Sequence, residues 1–173
     1  MESENNFIPK PEKPPVLYHA SRNSSIKNFE PRIGKRRYEK EGPKIYATPS
    51  KAMATVFLVD TDDSWTKSGS IDGVPYIVIS DKERFESLDV GGAIYSLPSD
   101  TFEDDPNIGL GELEYTSEES VTPIGYESVN SSFNTMLDNG VQVFFVDKET
   151  FRAIEDSPDH GVAIIAGLNP VTK

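Results

Sequence analysis

The sequence predicts an α+β domain that is rich in β-strand, with a split antiparallel sheet at its core and few short helices. Short runs of β-branched and aromatic residues recur along the chain, and turn-forming residues separate them. Only three stretches carry clear helical signals. At 173 residues, the chain is long enough to form one domain around its own hydrophobic core.

The first fifteen residues differ in composition from the rest. Residues 1–15 are polar and proline-rich, which predicts a flexible lead-in, and residues 16–173 are expected to form a single domain. An Asp-Gly pair at 72–73 predicts a hairpin turn. The predicted strands are VLYHA (16–20), KIYAT (44–48), PYIVIS (75–80), AIYSL (93–97), ELEYTS (112–117), SVTPI (120–124) and VQVFFV (141–146).

The predicted helices follow from capping and stop signals. Ser50 is a good N-cap for the segment SKAMATVFLV, which contains helix-forming Ala, Met and Leu. SSFNTMLDN is followed by Gly140, a common helix stop. KETFRAIED is a third short helix candidate.

Composition excludes several classes of site. The chain has no cysteine, so disulfides, thiolate chemistry and Cys-based zinc sites are ruled out. The two histidines lie far apart in sequence, so we expect no metal site. No apolar run is long enough to cross a bilayer, and we expect no signal peptide in the first ten residues. We therefore expect a cytoplasmic protein without a membrane partner, although export without a signal stays open.

Charge is unevenly distributed along the chain. The net charge is −12, and residues 85–147 contain thirteen acidic residues and no Lys or Arg. Binding to a phosphate backbone depends on Lys and Arg that displace counterions. The acidic surface therefore argues against nucleic acid as a partner.

Three polar features interrupt the apolar strands: His19 in LYHAS, Tyr46 in KIYAT, and the pair Glu112 and Glu114 in GELEYTSEE. Each has an ordinary structural interpretation. His19 would be a half-buried histidine bonded to backbone, and Tyr46 a core aromatic with its hydroxyl at the edge. The two glutamates would form the solvent face of an alternating strand.

The order of these features resembles the ADP-ribosyltransferase fold, in the branch with a His-Tyr-Glu triad on three strands. That branch has a Tyr-His-Gly-Thr-like first motif, and this chain has Tyr-His-Ala-Ser at 18–21. The second motif, Gly-Ile-Tyr-Phe-Ala-like and followed by Ser-Lys-Ser-Ala, is matched by KIYAT and then Ser-Lys-Ala at 50–52. The last motif, a glutamate that opens a strand, is matched by Glu114-Tyr115. The chain also resembles a group of uncharacterised microbial and fungal proteins with YHGS-, FAT- and EF-S-type motifs.

The resemblance implies NAD as the substrate and assigns roles to the motif residues. Glu114 would stabilise the positive charge that develops on the ribose when the nicotinamide bond breaks. His19 would hydrogen-bond the adenosine-side ribose, and Tyr46 would stack on the nicotinamide ring. Backbone groups at Ala20, beside Ser21, would bind the carboxamide.

Further residues complete the implied site. Phe57 would close the ring pocket, a choice that rests on spacing only. Arg32, together with the basic run at 34–37, would supply positive charge for the pyrophosphate. Glu112 would recognise the acceptor, by analogy with arginine-modifying relatives of a different triad class. The chain departs from the family motifs at Ala20 and Lys44, where glycine is usual.

Four functions remain open at this point. The first is an NAD-dependent ADP-ribosyltransferase or NAD glycohydrolase with an unknown acceptor. The second is a catalytically inactive protein of the same fold that binds a ligand or partner. An RNA 2′-phosphotransferase-like enzyme would need several arginines, which the acidic segment lacks. The fourth is an acidic β-rich interaction module in which His19 is structural. The oligomeric state is not predicted.

Overall fold

The structure is a computed structural model that describes residues 12–32, 42–104 and 114–172. Within these residues the strands form three sheets of three strands each, in the orders β1-β5-β8, β2-β7-β6 and β3-β4-β9. Short helices connect and cover them, so the predicted α+β class is confirmed. The strands are β1 (Val16–Ser21), β2 (Ile45–Ala47), β3 (Thr66–Ile71), β4 (Val74–Ile79), β5 (Gly92–Pro98), β6 (Glu103–Asp104), β7 (Tyr115–Ser117), β8 (Gly125–Val129) and β9 (Gln142–Phe145).

A single bridge joins the first two sheets. The N–H of Tyr18 donates to the carbonyl of Thr48 at 2.8 Å, and the N–H of Thr48 donates back at 2.9 Å. Thr48 directly follows β2, and no second bridge between β1 and β2 occurs in the described residues. The two strands are therefore neighbours at one point only. Beyond that point the described residues of the two strands share no further backbone ladder.

The third sheet contains the predicted hairpin. Strands β3 and β4 are joined by Asp72 and Gly73, whose φ values are 52° and 79°. Positive φ at both positions is the geometry of a type I′ turn, which the Asp-Gly pair favours. The hairpin prediction is confirmed.

The predicted antiparallel pairing holds for every strand pair in the described residues except one, since β4 and β9 run parallel. A parallel pair needs a crossover connection, and here the chain between β4 and β9 includes the helix that immediately precedes β9. Parallel strands are usually covered on both faces. All residues of β4 after Val74 are indeed buried, with Ile77 and Ile79 in one apolar cluster and Tyr76 and Val78 in another.

The three predicted helices are present. The hydroxyl of Ser50 accepts the N–H of Met53 at 3.0 Å, which is the expected cap. Gly140 follows the third helix with a φ of 84°, as a stop residue should. The sequence did not predict the second and the fifth helix. The helices are α1 (Lys51–Thr55), which continues into a 3₁₀ turn (Val56–Leu58), α2 (Lys82–Leu88), α3 (Ser132–Asp138), α4 (Lys148–Asp156) and α5 (Val162–Ala166).

Two strand predictions near the candidate site need correction. Residues 120–124 do not form a strand, because Pro123 cannot donate a backbone hydrogen bond, and Val121 makes only an isolated bridge to Phe29. The strand in this region is β8, which begins at Gly125. The predicted strand 112–117 is described only from 114 onward, and it is β7 from Tyr115.

The main core lies under the sheets that contain β1, β2, β5 and β7. Its buried residues are Leu17, Phe29, Ile45, Ala47, Ala93, Tyr95, Leu97, Phe102, Tyr115 and Val121. No helix in the described part of the chain is both long and apolar enough to cross a membrane.

Candidate functional site

His19 lies at the place where β1 and β2 separate. On β1 it pairs with Tyr95 of β5, and its ring Nδ1 lies 2.6 Å from the carbonyl oxygen of Tyr46. If the ladder begun at Tyr18 and Thr48 continued, that carbonyl would accept the N–H of Ala20. The imidazole takes that position instead. His19 thus holds the main chain of Tyr46 across the opening between the two strands.

The hydrogen bond fixes the chemical form of the ring. A backbone carbonyl can only accept, so in the neutral ring the proton lies on Nδ1 and Nε2 keeps its lone pair. Burial lowers the pKa of His19, the bond to Tyr46 opposes that effect, and the charge of Arg32 lowers the pKa further. At neutral pH the ring is therefore an uncharged acceptor at Nε2.

Aromatic rings hold the imidazole in place. The ring of Phe29 meets His19 edge-on at 4.9 Å between centroids, and it meets Tyr95 edge-on at 5.1 Å. Such T-shaped contacts are favourable beyond the area that they bury. The sequence prediction missed Phe29. The available signal was a large apolar residue within an otherwise polar loop.

Tyr46 and Thr116 lie directly opposite each other in the β2–β7 pair, so their side chains share one face. Glu114 immediately precedes β7, two residues before Thr116. Glu114 and Thr116 are each only 7% exposed. A buried carboxylate is costly to maintain and marks a candidate functional group.

The structure joins His19 to the backbone of Tyr46, not to its side chain. Along β1, His19 alternates with Tyr18, and the Tyr18–Thr48 bridge places Tyr18 on the Tyr46 side. His19 thus projects from the opposite side of the strand, toward Phe29, and its ring reaches Tyr46 along the strand edge. The side chains of His19 and Tyr46 therefore leave the two strands on different sides.

The backbone of Ala20 faces the same opening. The N–H and carbonyl of Tyr18 point toward β2, so those of Ala20, two residues later, point the same way. The adjacent Ser21 ends β1, and its hydroxyl accepts the N–H of Asn23 at 3.1 Å. Ala20 thus presents one donor and one acceptor where β1 and β2 have separated.

Arg32 is anchored next to β2 by its main chain. It donates to the Lys44 carbonyl at 3.1 Å and accepts the Lys44 N–H at 2.9 Å, while its side chain is exposed. The positive charge of its guanidinium lowers the pKa of the His19 ring. The basic run 34–37 lies outside the described residues.

Two predicted site residues remain, Phe57 and Glu112. Phe57 lies on the 3₁₀ turn after α1, and 49% of its surface is exposed, which is unusual for phenylalanine. Glu112 lies outside the described residues. In the part of the chain that the structure describes, no group of three or more His, Asp or Glu residues is arranged to hold a metal ion.

Comparisons with family models, with curated proteins and with solved structures found no match to this chain. The functional conclusion therefore rests on the geometry at the β1–β2 opening and on the motifs that occupy it.

Proposed function

We propose that this protein binds NAD at the opening between β1 and β2 and cleaves the nicotinamide–ribose bond, as an ADP-ribosyltransferase or NAD glycohydrolase. The observation that carries the proposal is the 2.6 Å bond from His19 Nδ1 to the carbonyl of Tyr46. It joins two of the three motif residues where the strands separate. It also leaves Nε2 as the acceptor that the proposed role of His19 requires.

The groups at the opening match the chemistry of NAD. A ribose hydroxyl would donate to Nε2 of His19. The carboxamide of nicotinamide has an NH₂ group that donates and a carbonyl oxygen that accepts. The backbone carbonyl and N–H of Ala20 would supply the matching acceptor and donor. The Tyr46 ring would stack on the cationic nicotinamide. Arg32, exposed beside β2, would supply charge for the pyrophosphate.

Glu114 would act on the bond that breaks. When the nicotinamide–ribose bond opens, its electron pair leaves with neutral nicotinamide and the ribose carbon becomes an oxocarbenium-like cation. A carboxylate held in a buried position stabilises that charge more strongly than one in water. The acceptor's nucleophilic oxygen or nitrogen then bonds to the ribose and loses a proton. Where water is the acceptor, the products are ADP-ribose, nicotinamide and a proton.

Nicotinamide release from NAD by purified protein tests this function. The wild type should release nicotinamide, and Glu114→Gln should lose most of that activity, on the order of 100-fold, because the amide cannot stabilise the cation. Glu119→Gln is the matched control, since Glu119 is an exposed glutamate close by in the same acidic segment. It should retain wild-type activity.

The outcomes separate the alternatives. A folded wild type that neither binds nor cleaves NAD would overturn the proposal and favour an interaction module in which His19 is structural. Binding without any release of nicotinamide would instead identify a catalytically inactive protein of the same fold. The acceptor is then the next question, and NAD hydrolysis in buffer alone would identify water.

A further inference from the structure

Strand β8 is the outer edge of the β1-β5-β8 sheet among the described residues. The direction of its backbone groups follows from the ladder. Tyr18 bonds to Thr48, so its N–H and carbonyl point away from β5, and those of His19 point toward Tyr95 on β5. By the same alternation, the N–H and carbonyl of Ile94 on β5 point toward Glu127 on β8, and those of Glu127 point back. The N–H and carbonyl groups of Tyr126 and Ser128 therefore point outward, away from β5.

Two large apolar side chains are exposed at the start of this edge, one in β8 and one just before it. Ile124 is 64% exposed and Tyr126 is 63% exposed, more than any other large hydrophobic residue in the described chain. Tyr126 is the second residue of β8 and Ile124 directly precedes the strand. The Tyr126 ring packs against Tyr95 with 5.9 Å between the ring centroids. Natural proteins usually protect open edges of this kind.

The charge that would protect the edge is neutralised. Glu127 is the one charged residue of β8, and its carboxylate lies 2.6 Å from the ammonium of Lys51 on α1. An unpaired glutamate in the centre of an edge strand would repel a second glutamate placed opposite it. With Lys51 in contact, the edge carries no net charge of its own.

We propose that β8 pairs with β8 of a second copy of this chain, which makes a two-fold dimer with a continuous six-stranded sheet. In the antiparallel pairing, Tyr126 of one copy lies opposite Ser128 of the partner copy, and the reverse pair is identical by symmetry. This uses every outward N–H and carbonyl of Tyr126 and Ser128, giving four backbone hydrogen bonds. Glu127 then lies opposite its own symmetry mate, flanked by both Lys51 side chains.

A second copy fits this edge better than an unrelated strand does. The edge is self-complementary, since its two outward residues bond to each other across the two-fold axis. The opposing term is the net charge of −12 on each copy, which repels at long range. Salt screens that repulsion more than it affects contacts at the edge. The dimer should therefore strengthen as salt concentration rises.

Sedimentation velocity of the full chain, over a roughly hundredfold range of concentration, tests the dimer. The mass of the wild type should rise toward twice 19.2 kDa. Ser128→Pro should weaken association about tenfold or more, because proline removes an outward N–H without removing a bond to β5. Ser128→Thr keeps the N–H and is the matched control. A wild type that stays monomeric throughout would overturn the proposal.

Lys51 gives a second test that does not alter the backbone. Lys51→Met should weaken the dimer several-fold, because it leaves two glutamates opposed without a counter-charge. Adding Glu127→Gln to that variant should restore most of the association. If both single and double variants associate like the wild type, and Ser128→Pro does too, the dimer forms elsewhere and the β8 interface is wrong. Circular dichroism of each variant checks that it is folded.

Discussion

The ring of His19 donates a 2.6 Å hydrogen bond to the main-chain carbonyl of Tyr46, where an undisturbed ladder would place the N–H of Ala20. A side-chain hydrogen bond thus takes the place of a backbone hydrogen bond at the point where β1 and β2 separate. As a result, the Ala20 backbone faces the opening, and Nε2 is the nitrogen of the neutral His19 ring that can accept a hydrogen bond. The predictions below depend on this arrangement.

The pKa of His19 should lie below 6.5, the value for an unperturbed histidine. Burial is the main cause, since it disfavours the charged ring. An NMR titration of the histidine ring protons measures it, with His160→Gln used to assign the second histidine. A His19 pKa at or above 6.5 would contradict the neutral-acceptor role.

The same shift makes stability depend on pH. Because the pKa of His19 is lower in the folded state, the unfolded chain binds more protons as the pH falls below about 6.5. The free energy of unfolding should therefore decrease from pH 7 downward until the folded pKa is reached. His19→Gln should flatten the slope in this range. Urea unfolding at several pH values measures it, and an unchanged slope in the variant would remove His19 as the source.

Arg32→Gln should raise the pKa of His19. The guanidinium charge disfavours protonation of the nearby ring, so its removal makes the imidazolium easier to form. Lys27→Gln is the control, because it removes one positive charge from the same loop. An equal rise in both variants would mean that the effect is one of net charge rather than of the position of Arg32.

Phe57→Ala should separate binding from stability. Because Phe57 is 49% exposed, its truncation should change the free energy of unfolding by less than about 0.5 kcal/mol. Its proposed role in the ring pocket predicts weaker NAD binding, by several-fold. Phe29→Ala offers the contrast, since loss of that buried ring should destabilise the fold by about 3–5 kcal/mol. Unchanged NAD affinity in Phe57→Ala would remove Phe57 from the site.

Gly73→Ala should destabilise the β3–β4 hairpin by about 1 kcal/mol, because φ is 79° at this position and a Cβ atom is strained there. Gly167→Ala is the control, since Gly167 has no positive φ and its added Cβ would make ordinary contact at 3.5 Å. Thermal unfolding compares the two. Equal effects would mean that backbone conformation at Gly73 is not the cause.

Local chemistry made some elements predictable from sequence. The Asp-Gly turn at 72–73, the Ser50 cap and the Gly140 stop each depend on neighbouring residues only, and the structure has all three. Strand β8 was missed because its residues are exposed on both faces and show no apolar alternation. The parallel pairing of β4 and β9 was missed because pairing direction depends on residues far apart in sequence.

The strand positions of His19 and Tyr46 were predictable from sequence, but the contacts that these residues make were not. The motifs placed His19 and Tyr46 on separate strands, and the structure shows both there. No sequence pattern indicates that the imidazole bonds to a carbonyl, or that Phe29 comes from a distant loop to hold it. Contacts of that kind arise from tertiary packing. The pairing of Tyr46 with Thr116 follows from the register between β2 and β7, which sequence alone did not fix.

Calorimetric titration of NAD into the purified protein tests most directly whether the β1–β2 opening is an NAD site. We predict saturable binding of one NAD per chain to the wild type. Glu114→Gln should also bind NAD, and His19→Phe should bind at least about tenfold more weakly because it loses the Nε2 acceptor. Absence of binding to folded wild-type protein, or equal affinity in His19→Phe, would contradict the account.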